Sequence, residues 1–531
     1  MKATDTIVNC LENEGVEYIF GIIGKEVIDL ADSLSTSEKI KYIPVRHEQG
    51  AAFMADVYGR ITGKPGVCLA TLGPGATNLL TGIASANLDH SPVVAITGQK
   101  GLEQQHKNTH QYLDISKIYE PVTKWAVQIK AANTIPKIIR KSFRTATEGK
   151  PGAVVIELPE SIAMENVTTK PLAVTCLPKC VPTAESLNYA AKLLNQSIRP
   201  FIIVGNEVIR QNAVNEVQTL IKQQGSPVAQ SFMAKGILPK GHPQNYYTFG
   251  FNEKDYVLRG FEEADLLIVI GFDFVEKLPS EWNKKKVPVI HIGATAAEVD
   301  EYYPAQVELV GNIKETLTLF LKNEITAKPW QPSGDLKTRI EESYSIMEKE
   351  SGDSSLTIEK ILHVIERVQT DETIVISDVG SHKISIARTY QPKHANQLIV
   401  SNGLASMGIS IPGAIGAKLA APEKTVICIS GDGGALMNFA ELETAKRLGL
   451  SFVIILLNDS MLKLEVATMR KKFGDSFGVT FTNPDFIHLA ISYGVKGVKP
   501  ATIEEFEAML TEAIDSNNEI VLIDTVLTAK A

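Results

Sequence analysis

Short apolar runs, each ending in a glycine-rich or polar turn, recur along the 531-residue chain. In the first third they read YIF before GIIG, YIPV before RHEQG, GVCLAT before LGPGATN, PVVAIT before GQ, and GAVVIELP. Stretches of helical length, such as 49–61 and 78–87, separate them, so the order is strand, helix, strand. A strand that is apolar throughout is buried on both faces, as in a parallel sheet covered by helices. The rhythm breaks at KPLAVTCLPKCVP and resumes with FIIVGNE, PVAQSF, DLLIVIGFD, PVIHIGA and VELVGN. It breaks again over polar residues 326–353 and returns with TIVIS, TVICIS and SFVIILL. The pattern predicts an α/β protein of three doubly wound parallel-sheet domains, over 1–165, 185–325 and 354–531.

Ligands of such sheets collect beyond the carboxyl ends of the strands. Asp378, Asp432 and Asp459 each follow a predicted strand there. Gly431, Asp432, Gly433 and Gly434 form a turn that exposes backbone N–H groups to a phosphate. Asp459 after the next apolar run adds a second carboxylate, a pairing that suits Mg²⁺ shared with phosphate oxygens.

A formal charge of −8 and a pI near 5.8 leave no basic footprint for nucleic acid, and the cluster Arg470, Lys471, Lys472 reads as a solvated face. Acidic residues stand where a signal peptide would be apolar, and no apolar run has membrane-spanning length, so a cytoplasmic location is expected. Five scattered cysteines do not form a disulfide framework. Cys176 and Cys180 make a C-x₃-C pair without His or Cys partners, which reads as reduced thiols in a linker rather than a zinc site.

The GDGG turn followed by Asn458 and Asp459 resembles the signature of thiamine diphosphate enzymes, and the matches extend over essentially the whole chain. The resemblance implies a pyrimidine-binding first domain, a central domain, and a last domain that binds diphosphate and Mg²⁺ through Asp432, Asp459 and the Met461 carbonyl. RHEQG resembles the motif whose glutamate, here Glu48, bonds N1′ of the aminopyrimidine and promotes loss of the thiazolium C2 proton. SNGLASMG resembles the segment in which a side chain, here Met407, wedges the two rings together while Ala405 pairs with the pyrimidine edge. Gly73 and Asn78 fall in a matching active-site loop, Gln99 in a strand-end turn near the cofactor, and Gly380, Ser381 and His382 in a diphosphate loop. His110 and Gln111 fall where the family places residues over the substrate carbonyl, as in acetolactate synthases.

The segment 271–283 is similar to the FAD-independent, catabolic branch and lacks the Arg-Phe-Asp-Asp-Arg sequence of flavin-binding relatives, so no functional FAD is expected. Relatives carry an apolar residue where this chain has Glu465, and glutamine where it has Thr468 or Met469, on a helix that faces the substrate. The implied activity decarboxylates pyruvate and joins the two-carbon unit to a second pyruvate, in a homodimer or a tetramer of dimers, without nucleic-acid or membrane partners. A pyruvate oxidase or a carboligase with another acceptor shares these motifs. A non-catalytic nucleotide-binding protein is a rival from another class, but neither G-x-G-x-x-G with its acidic partner nor G-x-x-x-x-G-K-[ST] is present.

Overall fold

The apolar runs become strands because Val, Ile and Leu on both sides of the chain can be covered only inside a helix-lined parallel sheet. The structure, a computed structural model, describes residues 1–175, 178–349, 354–516 and 518–527. It contains three six-stranded parallel sheets. The first runs Lys41–Pro44, Tyr18–Gly21, Gly66–Ala70, Val93–Gln99, Ala153–Pro159, Trp125–Gln128. The third repeats that order with Leu398–Val400, Thr373–Ser377, Thr425–Gly431, Phe452–Asn458, Ile520–Val526, Lys496–Val498. In the third sheet a fully buried apolar row, Ile376, Cys428, Ile454 and Leu522, crosses the middle in register.

The central sheet is ordered differently. Asn245–Thr248, Val228–Gln230, Pro200–Val204, Leu266–Ile270, Val289–Gly293 and Ala305–Val310 follow the dinucleotide-fold order, with the reversal between Pro200–Val204 and Leu266–Ile270. Helix Leu336–Lys349, in the stretch read from sequence as a polar connection, buries Leu336 and Ile340 in the aromatic cluster of this unit with Phe201 and Phe261.

One apolar cluster is shared by the first and third units. Helix Glu48–Thr62 of the first packs on helix Ser410–Ala420 of the third, burying Phe53, Met54 and Val57 against Ile411, Ala414 and Ile415. The helices meet backbone to backbone at Gly416, where a Cβ would lie 2.4 Å from the Met54 carbonyl oxygen.

Several strands carry too little local signal to read in advance. Trp125–Gln128, Asn245–Thr248, Leu398–Val400 and Lys496–Val498 are short edge strands of three or four residues. Ile520–Val526, whose IVLI run is apolar throughout, is an inner strand between Phe452–Asn458 and Lys496–Val498. No element interrupts the described residues between Ala163 and Ala184, as a linker requires. Cys176 lies outside the described residues, and Cys180 is an exposed free thiol. Among the described residues no helix is long and apolar enough to cross a membrane.

Candidate active site

Three strands of the third sheet deliver the sequence-predicted residues to one cleft of about 300 Å³, lined by Gly380, His382, Met407, Asp432, Gly434 and Asp459 among others. Ala405, Ser381, Gly431, Gly433 and Met461 line it too. Strand Thr425–Gly431 ends at Asp432, which is 2% exposed. Its Oδ2 accepts from the N–H groups of Asp459 (3.1 Å) and Ser460 (2.6 Å) and from Asn483 Nδ2 (2.7 Å), while Oδ1 accepts from Gly433 N–H (2.8 Å). The carboxylate is therefore aimed by the turn that carries its partner Asp459. Burial holds the Asp459 carboxyl above the usual range, the Lys463 ammonium 3.5 Å away opposes this, and the nearby Asp432 charge adds to it. A cation placed beside the two carboxylates would offset the repulsion that Asp459 feels from Asp432.

Asp378, just past strand Thr373–Ser377, is fully buried and turned inward. It accepts from Gly408 N–H at 2.8 Å and from the Ser410 hydroxyl at 2.6 Å, so it secures the turn that carries Met407. A Cβ on Gly434 would lie 2.9 Å from Asp378 Oδ1, which explains the glycine. Ala405 adopts φ 54°, a left-handed conformation that alanine avoids, and Ser460 beside Asp459 adopts φ 57°. Such conformations persist only where surroundings over-determine them; Ala405 lines the cleft and Ser460 adjoins Asp459, which does. The Met407 methyl sits beside Gly433, 3.4 Å from where a Cβ there would be.

The first-unit candidates gather elsewhere. Glu48 opens its helix, is 7% exposed, and accepts from Asn78 Nδ2 at 2.9 Å. Helix start and carboxylate suit one another, because the positive end of the helix faces Glu48. Gly73 (φ 55°) and Gln111 (φ 60°) touch; a Cβ on Gly73 would lie 2.9 Å from the Gln111 carbonyl oxygen. His110 and Gln111 are exposed in the single chain. Gln99 is fully buried, and its amide is spent on Glu157 (2.5 Å) and the Leu113 carbonyl (2.7 Å). It braces the 110–114 segment rather than facing open space. None of these residues lines the third-unit cleft.

Three contributors escaped the sequence reading. Asn483 donates to Asp432 across 51 positions, Glu157 gathers Gln99, Ser116 and Gln128, and Glu441 accepts from the N–H groups of Arg46 (3.0 Å) and His47 (2.9 Å). Each is a lone polar residue whose partners are distant in sequence, so no local pattern marks it.

The cleft fits a diphosphate with a dication. His382 Nε2 is buried without a partner, and burial keeps its imidazole neutral by lowering its proton affinity. That ring lies against Gly431, 3.3 Å from where a Cβ there would sit, so a phosphate oxygen can approach both. Among the described residues no group of three His, Cys, Asp or Glu side chains could hold a metal alone. Two carboxylates leave the remaining octahedral positions to backbone and phosphate oxygens, the habit of Mg²⁺.

This plan of three doubly wound units, with the carboxylate and glycine cleft in the last, is that of the thiamine pyrophosphate enzymes. Residues 1–118 match their N-terminal TPP binding domain, 187–320 their central domain and 378–525 their C-terminal TPP binding domain. Acetolactate synthase of Bacillus subtilis is 32% identical, over 98% of this chain and 92% of its own length. A probable acetolactate synthase large subunit of Methanocaldococcus jannaschii is 33% identical (99% and 92%), and the isozyme 1 large subunit of Escherichia coli is 31% identical (96% and 91%). The chain belongs to the thiamine diphosphate-dependent acetolactate synthase family.

Proposed function

We propose that the chain is an acetolactate synthase, which takes two pyruvates, releases CO₂ from one and joins the remaining two-carbon unit to the second as 2-acetolactate. The observation that carries this reading is the convergence of Asp432, Asp459, His382 and Met407 on one cleft in a chain with acetolactate synthase relatives over nearly its full length. Asp432, Asp459 and the Met461 carbonyl hold Mg²⁺, and Gly380, Ser381, His382, Gly431, Gly433 and Gly434 receive the diphosphate. Thiamine diphosphate supplies the electron sink for the pair left when carboxylate departs. Glu48, aimed by Asn78, holds a proton at the pyrimidine N1′. Ala405 would meet the pyrimidine edge, Met407 would pack between the two rings of the coenzyme, and His110 and Gln111, with Gly73 beneath them, would orient the keto group.

The helices support a site built from two chains. Glu48 and Arg60 stand near opposite ends of one helix, about 18 Å apart at the helical rise, and Arg60 Nη1 bonds the Val400 carbonyl. Asn78 and Leu88 lie about 15 Å apart on the next helix, and Leu88 abuts Gly403. The reading assigns the Glu48 that serves a given cleft to a second copy, in an isologous homodimer or a tetramer of two.

The reading includes no flavin. At the reversal of the central sheet, Gly205 N–H bonds the Ile270 carbonyl (2.9 Å) and a Cβ on Gly205 would lie 2.3 Å from the Gly271 carbonyl oxygen, so the two turns close on each other. Glu207 and Asp273 place carboxylates where a dinucleotide would bring phosphates. Domain limits of 1–165, 185–325 and 354–531 accompany the reading, with helix Leu336–Lys349 attached to the central unit. Buried free thiols at Cys10, Cys68 and Cys428 support a cytoplasmic location.

The test is to incubate purified protein with pyruvate, thiamine diphosphate and Mg²⁺, with and without FAD, and identify products. Acetolactate and CO₂ in equal amounts, unchanged by FAD, are expected; acetate would select a pyruvate oxidase, and acetaldehyde alone a decarboxylase.

A further inference from the structure

We propose that Asp89, in the first unit, is a positioning residue for the turn of the third unit that carries Ala405 and Met407. Asp89 is fully buried immediately after helix Pro74–Leu88. A carboxylate at that end of a helix faces the negative pole of the helix dipole, so something else must hold it there. Its Oδ1 accepts from the N–H groups of Asn402 (3.1 Å) and Gly403 (2.6 Å). Its Oδ2 accepts from Arg60 Nη2 at 2.6 Å, and the same guanidinium reaches the Val400 carbonyl at 2.9 Å. Asp56 engages the other edge of Arg60 at 2.7 Å, so the guanidinium has no freedom to turn away.

Two further groups grip the same stretch. Lys383 Nζ, mostly buried, donates to the Ser401 carbonyl (3.3 Å) and to Asn402 Oδ1 (3.2 Å), and the Ser85 and Ser401 hydroxyls lie 3.2 Å apart. Residues 400–403 are thus fixed by Arg60, Ser85 and Asp89 of the first unit together with Lys383 of the third, while Asp378 fixes Gly408 and Ser410 at the other end of the turn. Between these anchors sits Ala405 in its left-handed conformation. A strained residue needs both ends of its loop restrained, and Asp89 supplies the restraint on the side that Asp378 does not reach. Helix Pro74–Leu88 therefore has two tasks, Asn78 aiming Glu48 at one end and Asp89 holding the turn at the other.

This inference rests on the reading of Met407 given above, and the two can fail separately. The experiment compares wild type, Asp89→Asn, Lys383→Met and Met407→Ala, each as holoprotein with thiamine diphosphate and Mg²⁺. Readouts are backbone amide exchange at 400–408, coenzyme affinity by calorimetry, and kcat and KM for pyruvate. Expected for Asp89→Asn and Lys383→Met are amide exchange at 402 and 403 faster by about tenfold or more, and kcat lower by about tenfold with KM within about threefold. Wild-type turnover and exchange in a folded Asp89→Asn protein would overturn the clamp. If Asp89→Asn does not fold, Lys383→Met decides by the same criteria, and rapid exchange at 402 and 403 in cofactor-free wild type also overturns it. Normal turnover in Met407→Ala overturns the role of Met407 instead, and the exchange rates then judge the clamp alone.

Discussion

Replacing Asp432 by asparagine separates what the residue does for the loop from what it does for a cation. Three N–H donors converge on Oδ2, from Asp459, Ser460 and Asn483, and only Gly433 N–H faces Oδ1. The amide oxygen of asparagine will take the position with three donors, turning its NH₂ towards Gly433 and the cation position. Each retained bond weakens from charge-assisted to neutral, about 1 kcal/mol apiece, and relief of repulsion with Asp459 returns part of that. The cofactor-free protein should therefore lose about 2 kcal/mol and stay folded. Loss of one full charge near a dication at the effective dielectric of a half-buried site is worth about 4 kcal/mol, close to a thousandfold in affinity. Calorimetry of Mg²⁺ in the presence of thiamine diphosphate, with circular dichroism to verify the fold, measures the two effects apart. Unchanged Mg²⁺ affinity in a folded variant would refute the assignment of Asp432, and a fold lost outright would mean that the loop, not the cation, needs the charge.

Other substitutions probe separate links of the same argument. Glu48→Gln keeps an acceptor for Asn78 but cannot hold a proton at N1′, so turnover should fall by about a hundredfold or more with coenzyme affinity nearly unchanged; steady-state kinetics showing near-normal turnover contradicts this. Gly434→Ala drives a Cβ to 2.9 Å from Asp378, which cannot yield without releasing Gly408 and Ser410, and should cost about 1–3 kcal/mol in denaturant unfolding; an unshifted midpoint would show that the turn relaxes freely. Burial pushes the Glu276 carboxyl up to about 7, so the folded protein keeps a proton that the unfolded chain has already lost above its ordinary range. Stability from this group is present at low pH and declines as pH rises from about 4.5 to 7. Glu276→Gln should match wild type near pH 4 and exceed it by about 3 kcal/mol at pH 8; equal stability at both values would contradict the burial effect.

What sequence made legible follows the range of the interactions involved. The strand, turn and carboxylate of Ser430 to Asp432 are contiguous, and Asp459 is the next strand end along the sheet, so pattern alone places both. The stretches of helical length at 49–61 and 78–87 appear as Glu48–Thr62 and Pro74–Leu88, because successive parallel strands need a crossover, usually a helix, between them. Asn483 and Glu441 could not be found that way, since each meets its partners only after distant segments have docked. Gln99 was placed correctly at a strand end, yet its side chain turns into the Glu157 network, a choice made by a buried carboxylate 58 positions away. Edge strands of three or four residues carry too few apolar positions to distinguish them from loops.

A mixture of two dead proteins tests the shared site most directly. Glu48→Gln and Asp432→Asn homodimers should each be inactive with pyruvate, thiamine diphosphate and Mg²⁺. A heterodimer joins the intact Glu48 of one chain to the intact Asp432 of the other at one of its two clefts. Random reassociation of equal amounts should therefore restore about a quarter of wild-type acetolactate formation. No recovery, with heterodimers verified by mass, would contradict a site that borrows its glutamate from the partner.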